Sequence, residues 1–258
     1  MEQKKVSAAY KVIRWLVWLF SPKFAVEGTG NLPDEPCVIV GNHSHMYGPI
    51  ACELYTPGEY EIWCNEEMMN RDEVADYAFR DFWSMRPKHT LWFYRILSHI
   101  IVPFSVIIFN NAHTIPVYRD TRLFTTFKLS LKALAEGKRI VIFPETYEKR
   151  NNVVCGFQKE FVDLARLYYR KTGRELKFVP MYVCPGLKTV YYGEAVSFRG
   201  EADIAEERER ICEEVADRIT RMAVALPRHK VVPYPNVKPR EYRYNTPLEV
   251  YENEERAV

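Results

Sequence analysis

A histidine at the end of an apolar segment is the side chain in this chain best placed for catalysis. Residues 37–40 read Cys-Val-Ile-Val, which is typical of a buried strand, and His43 follows two residues later. In α/β folds, functional side chains collect at the carboxyl ends of such strands. A histidine at this position can act as a general base, because its ordinary pKa lies close to neutral pH.

Two other interpretations of this segment remain open from the residues alone. His43 and His45 alternate along an extended stretch, so they could share a face and begin a metal site. A usable metal site needs further ligands, and the neighbouring sequence offers none, so no metal is predicted. A strand-end histidine can also be a structural residue whose ring nitrogens are satisfied by hydrogen bonds.

The segment around His43 resembles the first motif of the glycerolipid acyltransferase family, which includes the lysophosphatidic acid acyltransferases. That motif runs Asn-His, four further residues, then Asp-Pro. Asn42, His43 and Pro49 match it in register, whereas Gly48 stands at the position of the aspartate. The resemblance implies that His43 is the catalytic base and that Asn42 belongs to the substrate site.

Three further segments resemble the later motifs of the same family, in the same order. Residues 114–120 resemble the second motif, an apolar strand followed by an arginine, and the resemblance assigns Arg119 to the phosphate of the acyl acceptor. Residues 141–146 resemble the Phe-Pro-Glu motif, which places Glu145 at the rim of the site. Lys149 and Arg150 are candidates to replace the arginine that this motif lacks here. Residues 179–183 resemble the fourth motif, so the resemblance covers about residues 26–225.

The glycine at position 48 leaves two functions open. In the family, the aspartate at this position holds the ring of the histidine, and glycine has no side chain to do so. One function is acyl transfer from acyl-CoA or acyl carrier protein to a lysophospholipid-like or other hydroxyl acceptor. The alternative is a lipid-binding relative whose catalysis is impaired. We expect Gly48→Asp to raise the activity unless the glycine has a positive φ.

Size, charge and cysteine content restrict the class of protein. A chain of 258 residues can form one sizeable core, and its net charge of only +2 does not indicate a nucleic-acid partner. The six cysteines form no Cys-x-x-Cys pair, which favours reduced, mostly buried thiols in a cytoplasmic protein. The family resemblance implies no cofactor apart from the acyl donor itself.

Two apolar segments bear on membrane attachment. Residues 8–20 predict an amphipathic helix with Trp15 and Trp18 beside Lys11 and Arg14, which suits a membrane interface, although packing on the core is the alternative. Residues 91–109 contain two basic or titratable side chains and a proline, so they predict an acyl-chain slot or plain core and not a membrane span. The expected location is peripheral, on the inner face of the cell membrane, with membrane lipid as a partner.

Strands alternate with helices along most of the chain. Strands are predicted at 37–40, 60–64, 114–118, 139–143, 177–183 and 189–192, and helices at 8–20, 49–54, 72–85, 123–136, 157–171 and 204–225. This order predicts an α/β fold with a mixed central sheet flanked by helices, and the resemblance specifies a glycerol-3-phosphate acyltransferase-like fold. The predicted divisions are a membrane-interface helix (1–25), an acyltransferase-like domain (26–226) and an extended proline-rich C-terminal tail (227–258).

Overall fold

The computed structural model describes residues 7–84, 86–118 and 120–245. The chain divides into two compact units. The described residues within 1–21 and 61–129 form one, which we call the helix-rich unit. The described residues within 22–60 and 130–258 form the other, which we call the sheet unit. This division differs from the predicted boundaries, since the N-terminal helix groups with a central part of the chain and the C-terminal tail groups with the sheet.

Strands and helices alternate through the described residues. The strands are β1 (Ala25–Glu27), β2 (Cys37–Gly41), β3 (Tyr60–Asn65), β4 (Thr114–Val117), β5 (Arg139–Ile142), β6 (Glu145–Lys149), β7 (Cys155–Phe157), β8 (Lys177–Cys184), β9 (Thr189–Tyr192) and β10 (Val196–Ser197). The α-helices are α1 (Ala8–Phe20), α2 (Tyr47–Tyr55), α3 (Val74–Ala78), α4 (Leu91–Ile100), α5 (Val102–Asn111), α6 (Leu123–Ala135), α7 (Asp163–Thr172) and α8 (Ile204–Ala225).

The sheet unit is built on a mixed, mostly parallel sheet in the order β1-β9-β8-β2-β5. Strand β2 lies between β8 and β5 and runs parallel to both, whereas β9 and β10 are antiparallel to β8. Because β2 is an apolar run with neighbours on both sides, Cys37, Val38, Ile39 and Val40 are completely buried. Helix α8 packs against β8. The parallel arrangement brings the carboxyl ends of β2 and β5 to the same edge of the sheet.

The helix-rich unit contains the parallel pair β3–β4 and helices α1, α3, α4 and α5. Helix α1 packs against α5, and the main-chain amide of Ser7 donates to Oδ1 of Asn111 at 3.0 Å. A small core forms around Val74, Ala75 and Val102. Within the described residues no single helix has the length and apolar composition to cross a membrane, but the pair Lys88–Ile100 and Val102–Asn111, bent by 44°, has both when taken together.

The predicted fold class is confirmed: the structure is α/β, with a central sheet flanked by helices. Several predicted elements need correction. The helix predicted at 72–85 is only α3, followed by a π-helical turn at Phe79–Trp83. The hairpin β6–β7 was not predicted, because four of the five residues of β6 are polar or charged and show no apolar alternation. Residues 91–109, predicted as core or as an acyl-chain slot, form α4 and most of α5 and carry large exposed apolar side chains.

Candidate active site

A strained turn carries His43 out of the central strand. Strand β2 ends at Gly41, and Ser44 and His45 both adopt left-handed backbone conformations, with φ of 46° and 53°, before α2 begins. Such a conformation costs a non-glycine residue about 1–3 kcal/mol, so it persists only where surrounding contacts enforce it. The hydroxyl of Ser44 lies 3.3 Å from the carbonyl oxygens of both Val183 and Val232, and these contacts hold the turn.

Asn42 fixes this turn to strand β8. Its Oδ1 accepts from the main-chain amide of Val183 at 2.7 Å, and its Nδ2 donates to the carbonyl of Val183 at 3.1 Å and to Oγ of Ser44 at 2.7 Å. The side chain is buried. Because both amide hydrogens of Asn42 are used within the protein, this residue positions the turn, which corrects the expectation that it binds substrate.

Glu145 holds the main chain of His43. Its Oε2 accepts from the amide of His43 at 2.6 Å, and its Oε1 accepts from the amide of Cys155 at 3.1 Å. The residue is 3% exposed, so the expectation that it lies at the rim of the site is wrong. Burial raises the pKa of the Glu145 carboxyl to about 7, and the two amide donors oppose this rise. Glu145 is therefore a positioning residue beneath the site.

The raised pKa of Glu145 predicts a dependence of stability on pH. Between pH 4.5 and about 7 the folded protein binds a proton at Glu145 that the unfolded chain has lost, so this carboxyl lowers the free energy of unfolding as the pH rises. The shift corresponds to about 3 kcal/mol. Glutamine does not titrate, so Glu145→Gln lacks this loss. As the pH rises from 4.5 to 8, the free energy of unfolding of wild type should therefore fall by about that amount relative to that of Glu145→Gln.

Urea denaturation of both proteins across this range measures the difference directly. The comparison between the two proteins matters, because burial lowers the pKa of His43 and thereby makes wild-type stability increase with pH below 6.5. That contribution is present in both proteins and cancels. A difference between the two that does not change with pH would show that Glu145 ionises in its ordinary range.

The ring of His43 is half-buried between aromatic side chains. Its centroid lies 5.3 Å from that of Phe143 and 5.7 Å from that of Tyr234, both in edge-on contact. The Nδ1 atom is enclosed and makes no hydrogen bond of normal geometry with any residue that the structure describes. Burial lowers the pKa of His43 to about 4, partly opposed by the main chain of His45. The ring is therefore neutral at pH 7, with a lone pair available to accept a proton.

Gly48 lies where the turn and helix α2 come closest together. Its amide donates to the carbonyl of His43 at 3.0 Å. A Cβ atom at this position would come within 2.5 Å of the carbonyl oxygen of His43 and within 2.9 Å of that of Asn42 and of the ring of Phe143. From the sequence, a positive φ at Gly48 is the expected obstacle to an aspartate, but the φ of Gly48 is not in the left-handed region. The obstacle to a side chain is instead the lack of space. No carboxylate can stand at position 48 unless the turn moves.

His45 has a structural role in the same turn. Its Nε2 lies 3.1 Å from the carbonyl oxygen of Pro235, which can only accept, so Nε2 carries the proton and donates. Its Nδ1 then accepts from the hydroxyl of Tyr242 at 3.3 Å. Both ring nitrogens are thus occupied by residues of the C-terminal segment. In contrast, Nδ1 of His43 has no hydrogen-bond partner of normal geometry among the described residues.

Of the remaining predicted site residues, the structure describes Lys149 and Arg150. Strand β6 leads from Glu145 to Lys149, which is exposed and roughly 13 Å further along the strand. Arg150 forms an ion pair with Asp217 of α8 and lies 3.8 Å from Glu213 on the same helix. Arg119 falls outside the described residues.

The C-terminal segment contributes to the site in a way that sequence reasoning missed. Tyr234 packs against His43 and also against Tyr147, whose ring centroid is 5.2 Å away. This segment, residues 227–245, is also held to the protein on either side of Tyr234. Before it, Nε2 of His229 lies 2.8 Å from the hydroxyl of Tyr182. After it, Asn245 donates to carbonyl oxygens at the end of α8. The aromatic and proline content of the segment was visible in the sequence, but the pairing of Tyr234 with His43 depends on tertiary structure alone.

Comparison with known proteins gives one family match and similarity to a solved structure. The model of the protein family described as Acyltransferase matches residues 23–185. Among solved structures, the chain is similar to the crystal structure of the 1-acyl-sn-glycerophosphate (LPA) acyltransferase PlsC from Thermotoga maritima, with 18% sequence identity and a TM-score of 0.47. That similarity covers 88% of this chain and 86% of the other. No curated protein matches the chain.

Proposed function

Because the chain belongs to the Acyltransferase family, we propose that it moves a fatty acyl group from acyl-CoA or acyl carrier protein to the hydroxyl of a lysophospholipid-like or other acceptor. The observation that carries this proposal is the ring of His43, which is neutral, half-buried among aromatic side chains and placed at the carboxyl end of a central strand. The donor is a substrate, and the proposed reaction uses no metal or other cofactor.

In the proposed reaction His43 accepts the proton of the acceptor hydroxyl while its oxygen attacks the carbonyl carbon of the thioester. The carbon–sulfur bond then breaks, and the proton held by His43 passes to the leaving thiolate, so that the histidine returns to its neutral form. A low pKa favours this return. Asn42 and Glu145 contribute by holding the turn and the main chain of His43, since a base must be placed within hydrogen-bond reach of the proton that it removes.

Arg119 and Lys149 are the proposed contacts for a phosphate on the acceptor or donor. A guanidinium matches phosphate oxygens with two parallel donors, and the family resemblance assigns this role to Arg119. Lys149 is exposed at the end of β6 and carries a point charge. Arg150 is a weaker proposal, because its charge is already paired with Asp217.

We also propose that the protein is peripheral on the inner face of the cell membrane, attached in part through α1. The helix buries only Tyr10 among its thirteen residues and exposes Trp15, Leu19 and Phe20. Its basic residues can meet anionic headgroups while these side chains enter the interface. The helix also contacts α5, so it attaches to the membrane without separating from the helix-rich unit.

Replacing Trp15 and Phe20 by serine is expected to reduce binding to anionic vesicles about tenfold, because most of these two side chains is exposed and available to lipid. Co-sedimentation at low salt measures this loss. Substitution is preferable to deletion of the helix, which would also remove the hydrogen bond between Ser7 and Asn111. If the wild-type protein itself stays in the supernatant at low salt, attachment through α1 is wrong.

A lipid-binding protein with impaired catalysis is the second candidate function. One observation favours it: Nδ1 of His43 has no hydrogen-bond partner among the residues that the structure describes, and Gly48 leaves no room for a carboxylate that could orient the ring. Orientation of this kind is worth roughly 10⁴-fold in rate in the serine proteases, so its loss could leave binding without useful turnover.

Incubation of the full-length protein with a labelled acyl thioester and a lipid extract separates these functions. Label that appears in an acylated lipid supports the proposed transferase, and acyl-CoA and acyl carrier protein can be compared as donors. Label that is retained by the protein without product supports the lipid-binding candidate. Label found only as free fatty acid would mean that water is the acceptor and that the protein is a hydrolase.

A further inference from the structure

One face of the bent pair α4–α5 carries large apolar side chains that no part of the described chain covers. We call it the α4–α5 apolar face, and its members are between 50% and 67% exposed: Trp92, Phe93, Ile96, Ile100 and Phe104. Four of them recur every four residues, which places them along one stripe of the pair. An exposed stripe of this size on a soluble surface marks an interaction site.

Polar contacts tie the remaining sides of the pair to the helix-rich unit. Arg95 forms an ion pair with Asp76 at 2.9 Å, and the hydroxyl of Ser105 donates to the carbonyl of Met68 at 2.8 Å. Val102, between them in sequence, is part of the core of the unit. The middle of the pair is therefore fixed to protein while the apolar face points away from it.

These contacts determine how the pair could meet a membrane. Taken together, α4 and α5 have the length and composition of a broken span or a re-entrant loop. A crossing orientation would carry Asp76 and Arg95 into the hydrocarbon region, which is costly for charged groups. An orientation parallel to the bilayer leaves these contacts in the headgroup layer and immerses only the apolar face. Tryptophan at its N-terminal end is a residue that prefers this interface.

The charges near the face favour lipid over a second copy of the chain. No acidic residue occurs between Asp81 and Asp120, whereas Arg86 and Lys88 lie in that interval, besides Arg95, whose charge is paired with Asp76. Two copies meeting through this face would bring basic residues against basic residues, but anionic headgroups would neutralise them. Helix α1, which packs on α5 in the same unit, likewise has no acidic residue.

We propose that the α4–α5 apolar face inserts, parallel to the membrane plane, into one leaflet of an anionic bilayer and forms a second attachment besides α1. This inference rests on the membrane association in the proposed function. It predicts that Trp92→Ser, Ile96→Ser and Ile100→Ser combined lower the partition onto vesicles at least about tenfold, because each removes a large apolar side chain that is already exposed and so leaves the fold intact.

An environment-sensitive fluorophore on Ile96→Cys in the full-length protein reports insertion directly. Five of the native cysteines are buried and Cys64 is half-buried, so labelled wild type provides the background. With vesicles of equimolar phosphatidylcholine and phosphatidylglycerol, the emission should shift to the blue and be quenched by spin labels on the lipid chains. The same fluorophore on Glu206→Cys, exposed on α8 in the sheet unit, should show neither change.

The possible failures of this experiment are distinct. If the protein sediments with the vesicles while the fluorophore at position 96 remains in water, the inference is wrong and attachment through α1 stands. A blue shift that rises with protein concentration in the absence of vesicles would mean that a second copy covers the face. Failure of the wild-type protein to bind these vesicles would overturn both this inference and the membrane association in the proposed function.

Discussion

Replacing His43 by alanine is expected to lower the rate of acyl transfer by roughly 10²–10⁴-fold, the range that a positioned general base contributes. The folded state should lose little stability, because Nδ1 makes no hydrogen bond of normal geometry to the described part of the chain and the ring is only half-buried. Steady-state kinetics with a labelled acyl thioester, together with urea denaturation of the same preparation, separates the effect on rate from the effect on stability.

His45→Ala is the matched control, two residues away in the same turn. Both ring nitrogens of His45 bond to the C-terminal segment, so its removal should cost about 1–3 kcal/mol of stability. The variant should retain the chemical step at a temperature where it remains folded. We therefore expect opposite patterns: His43→Ala should lose rate and keep its stability, and His45→Ala should lose stability and keep its rate. A His43→Ala variant with wild-type activity would show that the chemistry lies elsewhere.

Restoring the family residue by Gly48→Asp is expected to damage the site instead of improving it. The new Cβ would lie 2.5 Å from the carbonyl oxygen of His43, a main-chain atom that cannot swing aside as a flexible side chain would. Overpacking of this kind typically costs about 1–3 kcal/mol, and a carboxylate buried without a donor adds to that cost. Both the free energy of unfolding and the rate of acyl transfer should therefore decrease.

Gly48→Ala separates the two contributions to this loss. Alanine adds the same Cβ without the charge, so it should also destabilise the turn, and the further loss in Gly48→Asp measures the cost of the carboxylate. The result that contradicts this account is a Gly48→Asp variant that is as stable as wild type and more active. The turn would then have room for a carboxylate beside His43, and the site would be a transferase that only lacks its orienting residue.

Elements with long apolar patterns could be predicted closely from the sequence. Strand β9 and helices α1 and α8 begin and end at the predicted residues, and β2 and β8 differ from prediction by one residue each. Burial in these elements follows from local periodicity or from a continuous apolar run, which is information that the sequence contains. The position of His43 at the carboxyl end of β2 followed from the same pattern.

The roles of the residues around His43 could not be predicted in the same way. Asn42 and Glu145 match the family motifs, yet in the structure both side chains accept hydrogen bonds from main-chain amides. The donors, Val183 and His43, are distant from them in sequence, so these roles could not be read from a local pattern. Tyr234 reaches His43 from nearly two hundred residues away in the chain. The space around Gly48 likewise depends on Phe143 and on the carbonyl groups of a strained turn. Each of these facts is tertiary, and no local pattern encodes it.

The pKa of His43 in the full-length protein tests the central claim most directly, namely that a neutral, half-buried imidazole acts without a carboxylate partner. Correlation spectra of ¹⁵N-labelled imidazoles, recorded over a pH titration and assigned with His43→Gln, give this value. We expect a pKa of about 4, because burial disfavours the charged ring more than the main chain of His45 favours it, and Nδ1 has no hydrogen-bond partner of normal geometry among the described residues. A pKa of 6.5 or higher with a hydrogen-bonded proton on Nδ1 would contradict it, since that result requires an acceptor beside the ring.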